Sequence, residues 1–236
     1  MSNPYFHFKQ FTIWHDKTAM KVGTDSVMLG SWALVENGDL VLDIGTGTGI
    51  IALMLAQRGA GIVDCVEVDI EACNQASNNV SLSPWADNIH IIHSDIVDYS
   101  LTTTKLYKRI ISNPPYFNNS LVSPLSKRTV ARHAIGLTWE LLIGHAWKML
   151  QVDGTFSVVL PWPDAKQFIK LAVIQGFYQS KVCLISPKVG KEFNRVMLEF
   201  SKYSSICCDS TIYIRDRENQ YTSDYQSLTA DFYLAF

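Results

Sequence analysis

The sequence predicts an α/β protein, a mostly parallel sheet covered by helices on both faces. Two observations carry this. Short apolar runs rich in β-branched residues alternate with longer stretches of helical periodicity. A glycine-rich turn, "DIGTGTG" (43–49), joins the first such run to the first such helix. Strands buried on both faces are apolar throughout, and an alternating order of strands and helices makes them parallel.

Taken in order, "LVLDIG" (40–45) and "GIVDCVEV" (61–68) read as strands, followed by the helices "GIIALMLAQ" and "IEACNQASNNV". "NIHIIHSD" and "YKRIIS" add two more strands. "TWELLIGHAWKML" then reads as a helix with Thr138 as N-cap, "GTFSVVLP" as a strand, "DAKQFIKLAVIQ" as a helix and "RVMLEFS" as a late strand. Residues 1–38 read as a hairpin and helix packed on the core, and residues 39–236 as the main domain; the last 30 residues hold a strand and a closing helix. The loop from Phe117 to Thr138 is long for a compact domain, as functional loops are.

With 236 residues, 47% of them hydrophobic and 18% charged, the chain can bury a substantial core. It has no apolar leader and no uncharged run near the roughly 20 residues that a spanning helix needs, so a cytoplasmic protein without a membrane partner is expected. Its five cysteines are odd in number, contain no C-x-x-C pair and fall mostly in apolar runs. That predicts reduced, buried thiols, with neither a disulfide framework nor a bound metal.

The net charge is only −2, but the charges are sorted along the chain. Asp39 to Asp98 holds nine acids against one base, Arg58; Tyr99 to Trp139 holds six bases and no acid. The first block suits a cationic ligand and the second an anionic one.

Gly45, Gly47 and Gly49 let the backbone turn sharply and approach a ligand at the C-terminal edge of the sheet, where ligands of open α/β sheets bind. Gly47, Gly49 and Ala52 also satisfy G-x-G-x-x-A, and Glu67 is suitably placed for a ribose, so a nicotinamide dinucleotide and an oxidoreductase stay open. Asp43 favours a cationic ligand such as a sulfonium, because a carboxylate there repels a pyrophosphate. Glu67 would accept both ribose hydroxyls, and Asp95 would sit beside an adenine or simply cap a helix.

"SNPPY" (112–116) follows the fourth strand at the same edge. Its prolines stiffen the turn and, lacking N–H groups, leave carbonyls as the polar backbone. The Asn113 amide oxygen and the Pro114 carbonyl can accept both hydrogens of a planar amino group; Pro115 completes the turn, and Tyr116 offers a stacking surface.

"DIGTGTG", "VEVD", "HSD" and "NPPY", in this order, resemble class I S-adenosylmethionine-dependent methyltransferases that act on amino groups. "MKVGTDSVMLGSWA", "NPPYFNNS", "RTVARH" and "YTSDYQSLTADFYL" extend the resemblance over almost the whole chain, to the bacterial family that methylates N6 of the adenine beside the anticodon of valine tRNA. The resemblance implies a Rossmann-like seven-stranded sheet with its last strand antiparallel, S-adenosylmethionine as cofactor and tRNA as partner. It also implies that Lys21, Thr24 and Asp25 close over the cofactor, although Asp25 suits a helix N-cap equally well. Phe117, Lys127, Arg128, Arg132 and His133 follow the catalytic turn and suit a nucleotide and its phosphates, with Lys188, Lys191 and Arg195 as an extension. A monomer is expected. The same chemistry on DNA adenine, ribosomal RNA guanine or protein glutamine remains open, as does a non-catalytic RNA-binding module.

Overall fold

The structure is a computed structural model and describes residues 3–18, 21–115 and 137–236. It opens with a hairpin, β1 (Tyr5–His7) and β2 (Thr12–Trp14), and the helix α1 (Thr24–Trp32). The alternating core follows: β3 (Leu40–Ile44), α2 (Ile50–Gln57), β4 (Ile62–Glu67), α3 (Ile70–Ser81), β5 (Ile89–His93), α4 (Ile96–Thr102) and β6 (Tyr107–Ser112). After it come α5 (Trp139–Met149), β7 (Leu150–Pro161), α6 (Ala165–Gln175), β8 (Tyr178–Ser186), β9 (Arg195–Ser201), β10 (Cys208–Tyr213) and α7 (Ser223–Thr229). Thr138 caps α5 as expected, its Oγ1 accepting the Leu141 N–H at 3.3 Å.

The main sheet has the order β10-β8-β9-β7-β6-β3-β4-β5. Two expectations are corrected here. The sheet has eight strands rather than seven, and the antiparallel strand is not the last: β9 runs against both β7 and β8, whereas β10 pairs parallel with β8. The strand absent from the sequence reading is β8. Its "YQSKVCLIS" interleaves polar residues with apolar ones and is mostly only half buried, so it lacks the continuous apolar run of the central strands.

From β3 the chain first moves outward through β4 and β5, then returns to place β6 on the other side of β3. That reversal leaves the C-terminal ends of β3 and β6 side by side, the place where an open α/β sheet forms its ligand crevice.

Two apolar clusters cover the two faces of the sheet. One joins α1 and α2 to Val41, Val63 and Cys65; the other joins α5 and α6 to Leu42, Ile110, Phe156 and Leu198. Helix α1 lies close on α2. A Cβ added at Gly30 would come within 2.8 Å of Met54 Sδ, and Arg58 Nη1 donates to the Gly30 and Ala33 carbonyls at 2.9 and 2.7 Å, satisfying the end of α1.

Half of the basic block turns out to be structural. Lys105 pairs with Asp64, Lys108 with Asp153, and Arg109 with Glu36 and Asp39. The thiols also divide, since Cys65, Cys73 and Cys183 are buried but Cys207 and Cys208 are exposed, against expectation for the last two. Among the described residues no helix is long and apolar enough to cross a membrane, and no His, Cys, Asp and Glu side chains cluster as metal ligands.

Candidate active site

A cleft of about 610 Å³ opens at the sheet reversal, between the ends of β3, β4 and β6. That volume suits a small-molecule ligand. Its floor is the glycine turn. Gly45, Gly47 and Gly49 all have positive φ (74°, 57° and 80°), a region that strains any residue with a side chain. At Gly45 and Gly47 an added Cβ would meet nothing within 4 Å, so the backbone itself faces open space.

The turn is tied down from below. Gly45 N–H donates to the Val66 carbonyl at 2.8 Å, Gly47 N–H to Glu67 Oε2 at 3.0 Å, and Asn79 Nδ2 to the Thr48 carbonyl at 2.9 Å. Thr46 Oγ1 donates to Asp43 Oδ2 at 2.6 Å. Asp43 therefore does not form the cleft wall that the sequence suggested. It is fully buried beneath the turn, because strand alternation sets it beside Cys65 and Ile111 on a covered face of the sheet. Burial pushes its carboxyl up to about 7; the Thr46 hydroxyl opposes this, Glu67's charge adds to it, and the nearby Ala52 amide opposes it again. Asp43 Oδ1 has no hydrogen-bond partner among the described residues.

Glu67 lines the cleft at the end of β4, where its carboxylate already collects three backbone donors. Oε2 accepts from Gly47, and Oε1 from Val68 and Asp69 at 2.9 and 3.0 Å. Asp95 lines the cleft after β5 and is also the N-cap of α4, Oδ1 accepting the Val97 N–H at 2.7 Å. The capping reading holds, and the same residue borders the cleft.

The opposite wall is the turn after β6. Ser112 Oγ donates to the Ile44 carbonyl at 2.8 Å and pins the end of β6 to the end of β3. Asn113 and Pro115 line the cleft, and Pro114 is buried. Asn113 Nδ2 donates to Ser26 Oγ at 2.9 Å, while Oδ1 is buried and has no partner among the described residues.

The N-terminal segment divides. Lys21 lines the cleft, but Thr24 and Asp25 do not, and Asp25 Oδ2 accepts from Arg195 Nε at 2.8 Å. Nor is Asp25 the N-cap of α1; that position is Gly23, with no side-chain cap bond. Arg195, expected on a nucleic-acid surface, is committed to Asp25, and Lys188 and Lys191 lie in the turn between β8 and β9. Lys17, Thr18 and Ser26 also line the cleft; no role follows for any of them from the sequence, although Ser26 lies within "MKVGTDSVMLGSWA". Tyr116, Phe117, Lys127, Arg128, Arg132 and His133 lie outside the described residues.

A glycine turn with its backbone bare, a carboxylate after each of the next two strands and an N-P-P turn after the fourth together define a methyltransferase site. The chain belongs to the methyltransferase small domain family, whose model matches residues 20–169. It is 43% identical over 235 residues, 99% of each chain, to the tRNA1(Val) (adenine(37)-N6)-methyltransferase of Bacteroides fragilis (strain YCH46). It is 44% identical to the protein of that name from Pectobacterium carotovorum subsp. carotovorum (strain PC1), over 97% of this chain and 93% of the other. Among solved structures, a protein of Agrobacterium tumefaciens described as a predicted O-methyltransferase superposes with a TM-score of 0.69 at 18% identity, covering 88% of this chain and 96% of that one, which is a likeness of fold.

Proposed function

We propose that this chain methylates the exocyclic N6 amino group of an adenine in tRNA, the adenine beside the anticodon of valine tRNA. S-adenosylmethionine is the methyl donor. The observation that carries the proposal is the Asn113 amide oxygen, buried and unpartnered among the described residues, on the wall of a cleft floored by bare glycine backbone. Leaving such an acceptor unpaired costs about 1–3 kcal/mol, which a hydrogen from the substrate recovers.

The residues of the cleft suit the donor's chemistry. Glu67 Oε2 has a lone pair left for a ribose hydroxyl, while its other oxygen is committed to two amides. The sequence reading of one carboxylate serving both hydroxyls is thereby narrowed to this oxygen unless an amide yields. Asp95 keeps its second oxygen for an adenine amine, and Lys21 faces the cleft from the N-terminal side. When bound, the donor supplies an electrophilic methyl carried on a sulfonium, with a neutral thioether as leaving group.

Asn113 Oδ1 and the Pro114 carbonyl accept the two hydrogens of the target amine. That draws its nitrogen lone pair out of ring conjugation and directs it at the methyl carbon. Neither acceptor has to act as a strong base, because the amine would shed its proton only after it has gained the methyl group. Alignment is the main source of rate, an effect reaching ~7–11 kcal/mol in the best cases. We place Tyr116 and Phe117 against the flipped base, and Lys127, Arg128, Arg132 and His133 on RNA phosphates, from their order after the N-P-P turn.

The test is to incubate the protein and isotope-labelled S-adenosylmethionine with total RNA from a strain lacking its gene, and to map the product by mass spectrometry. Labelled N6-methyladenine beside the anticodon of valine tRNA is the expected result. Label on guanine, or transfer to DNA or protein glutamine in place of tRNA, would overturn the acceptor. Replacing both Arg128 and Arg132 by alanine should lower RNA affinity and reduce its salt slope by about one to two charges.

A further inference from the structure

We propose that Ser26 is a positioning residue that holds the Asn113 amide in the orientation from which its oxygen meets the acceptor amine; this rests on the role assigned to Asn113 above. A primary amide has two ends of nearly equal size and opposite function. For the oxygen to face an incoming amine, the NH2 end must be held elsewhere. Ser26 Oγ takes it at 2.9 Å, and both side chains line the cleft. If the amide turned over, its hydrogens would face the hydrogens of the substrate and the acceptor would be lost. A hydroxyl donates as well as accepts, so the contact selects this orientation together with the substrate. With Nδ2 on Ser26 Oγ the oxygen is left for the amine, whereas the flipped amide would take the Ser26 proton and set its own hydrogens against those of the substrate.

A positioning group must itself be fixed, and Ser26 is fixed through its helix. One residue before it, Asp25 is bound to Arg195 at the start of β9. At the other end of α1, Arg58 holds the Gly30 and Ala33 carbonyls, and Gly30 seats the helix on Met54 of α2. On the Asn113 side, the bond from Ser112 to the Ile44 carbonyl fixes the backbone from which the amide projects. Both ends of the 2.9 Å contact thus belong to rigid elements, although they lie 87 residues apart in sequence. Misplacing a reacting group by about 1 Å can cost on the order of 10²-fold in rate, so a contact of this kind is worth building.

The experiment compares Ser26→Ala, Ser26→Thr and Asn113→Ala by steady-state methylation of tRNA, calorimetric binding of S-adenosylmethionine, melting temperature, and the 15N-labelled side-chain amide resonances of the free protein. Ser26→Ala should lower kcat about 10- to 100-fold, with KM for tRNA and cofactor affinity within about threefold. Ser26→Thr, which keeps the hydroxyl, should recover most of the loss. The Asn113 NH2 pair, identified by its absence in Asn113→Ala, should shift and sharpen in Ser26→Ala but not in Ser26→Thr. If the alanine variant does not fold, Ser26→Cys takes its place with the same expected loss, the thiol being close in size and a poor acceptor. An unchanged kcat in a folded Ser26→Ala or Ser26→Cys, or a threonine variant as slow as alanine, would overturn the proposal. Wild-type turnover by Asn113→Ala would instead overturn the role of Asn113 itself, whatever Ser26 does.

Discussion

Asp43 in β3 and Asp64 in β4 sit one strand apart, on opposite faces of the same sheet, and both are fully buried. Their surroundings have opposite effects. Asp64 Oδ2 accepts from Lys105 Nζ and from the Tyr107 hydroxyl, each at 2.6 Å, and Oδ1 lies 2.9 Å from His90 Nδ1. Burial alone would raise its pKa, but these hydrogen bonds and the lysine charge outweigh it and hold the carboxyl below its usual range. Asp43 has one hydroxyl donor, an oxygen without a partner among the described residues, and a pKa raised to about 7. Asp64 is supplied with donors by its neighbours, whereas Asp43 Oδ1 beneath the glycine turn and Asn113 Oδ1 beside it are buried without a partner among the described residues.

The comparison can be broken most severely by pH. Because the folded pKa of Asp43 exceeds its unfolded value of 3.8, the folded state holds the extra proton between about pH 4 and 7, and stability falls as pH rises through that window. The unfolding free energy of Asp43→Asn lacks this decline. The difference between the two proteins should therefore change by on the order of 4 kcal/mol between pH 4 and pH 8, measured by denaturant titration. Parallel curves would contradict the burial of an open carboxylate.

Asp64→Asn should show the reverse sign. A depressed folded pKa stabilises the protein above the unfolded value, and the contribution fades as pH falls through the folded pKa. At neutral pH this variant should lose about 2–3 kcal/mol and shed that deficit toward acid, with kcat unchanged in the molecules that remain folded. A loss of turnover would place Asp64 in the active site. The smallest effect on stability should come from Gly47→Ala, at roughly 1 kcal/mol for a side chain at φ 57°. Its methyl has open space, so the protein should fold yet bind S-adenosylmethionine more than about tenfold less tightly, because a ligand must approach that backbone closely.

Much of this was legible in the sequence because it is local. The order of core strands follows from apolar runs, the glycine turn from three alternating glycines, and the α5 cap from Thr138. What escaped is set by tertiary pairing. Strand β8 reads as polar because it is half covered, and its place is decided by β9 and β10. The direction of Asp43 depends on which face of β3 its neighbours cover, and Arg109, apparently part of a basic surface, is consumed by Glu36 and Asp39. Ser26 gave no signal, because nothing in "GTDSVML" indicates that its partner lies at the end of β6.

The most direct test of the central claim, that the unpaired Asn113 oxygen is the acceptor for the substrate amine, is a single-turnover measurement on Asn113→Ala. The enzyme is saturated with radiolabelled S-adenosylmethionine, and cofactor binding is measured in parallel. Transfer to tRNA should fall by at least about 10²-fold while cofactor affinity stays within a few fold. A rate equal to that of the unaltered protein, or a loss accounted for entirely by weakened cofactor binding, would contradict it.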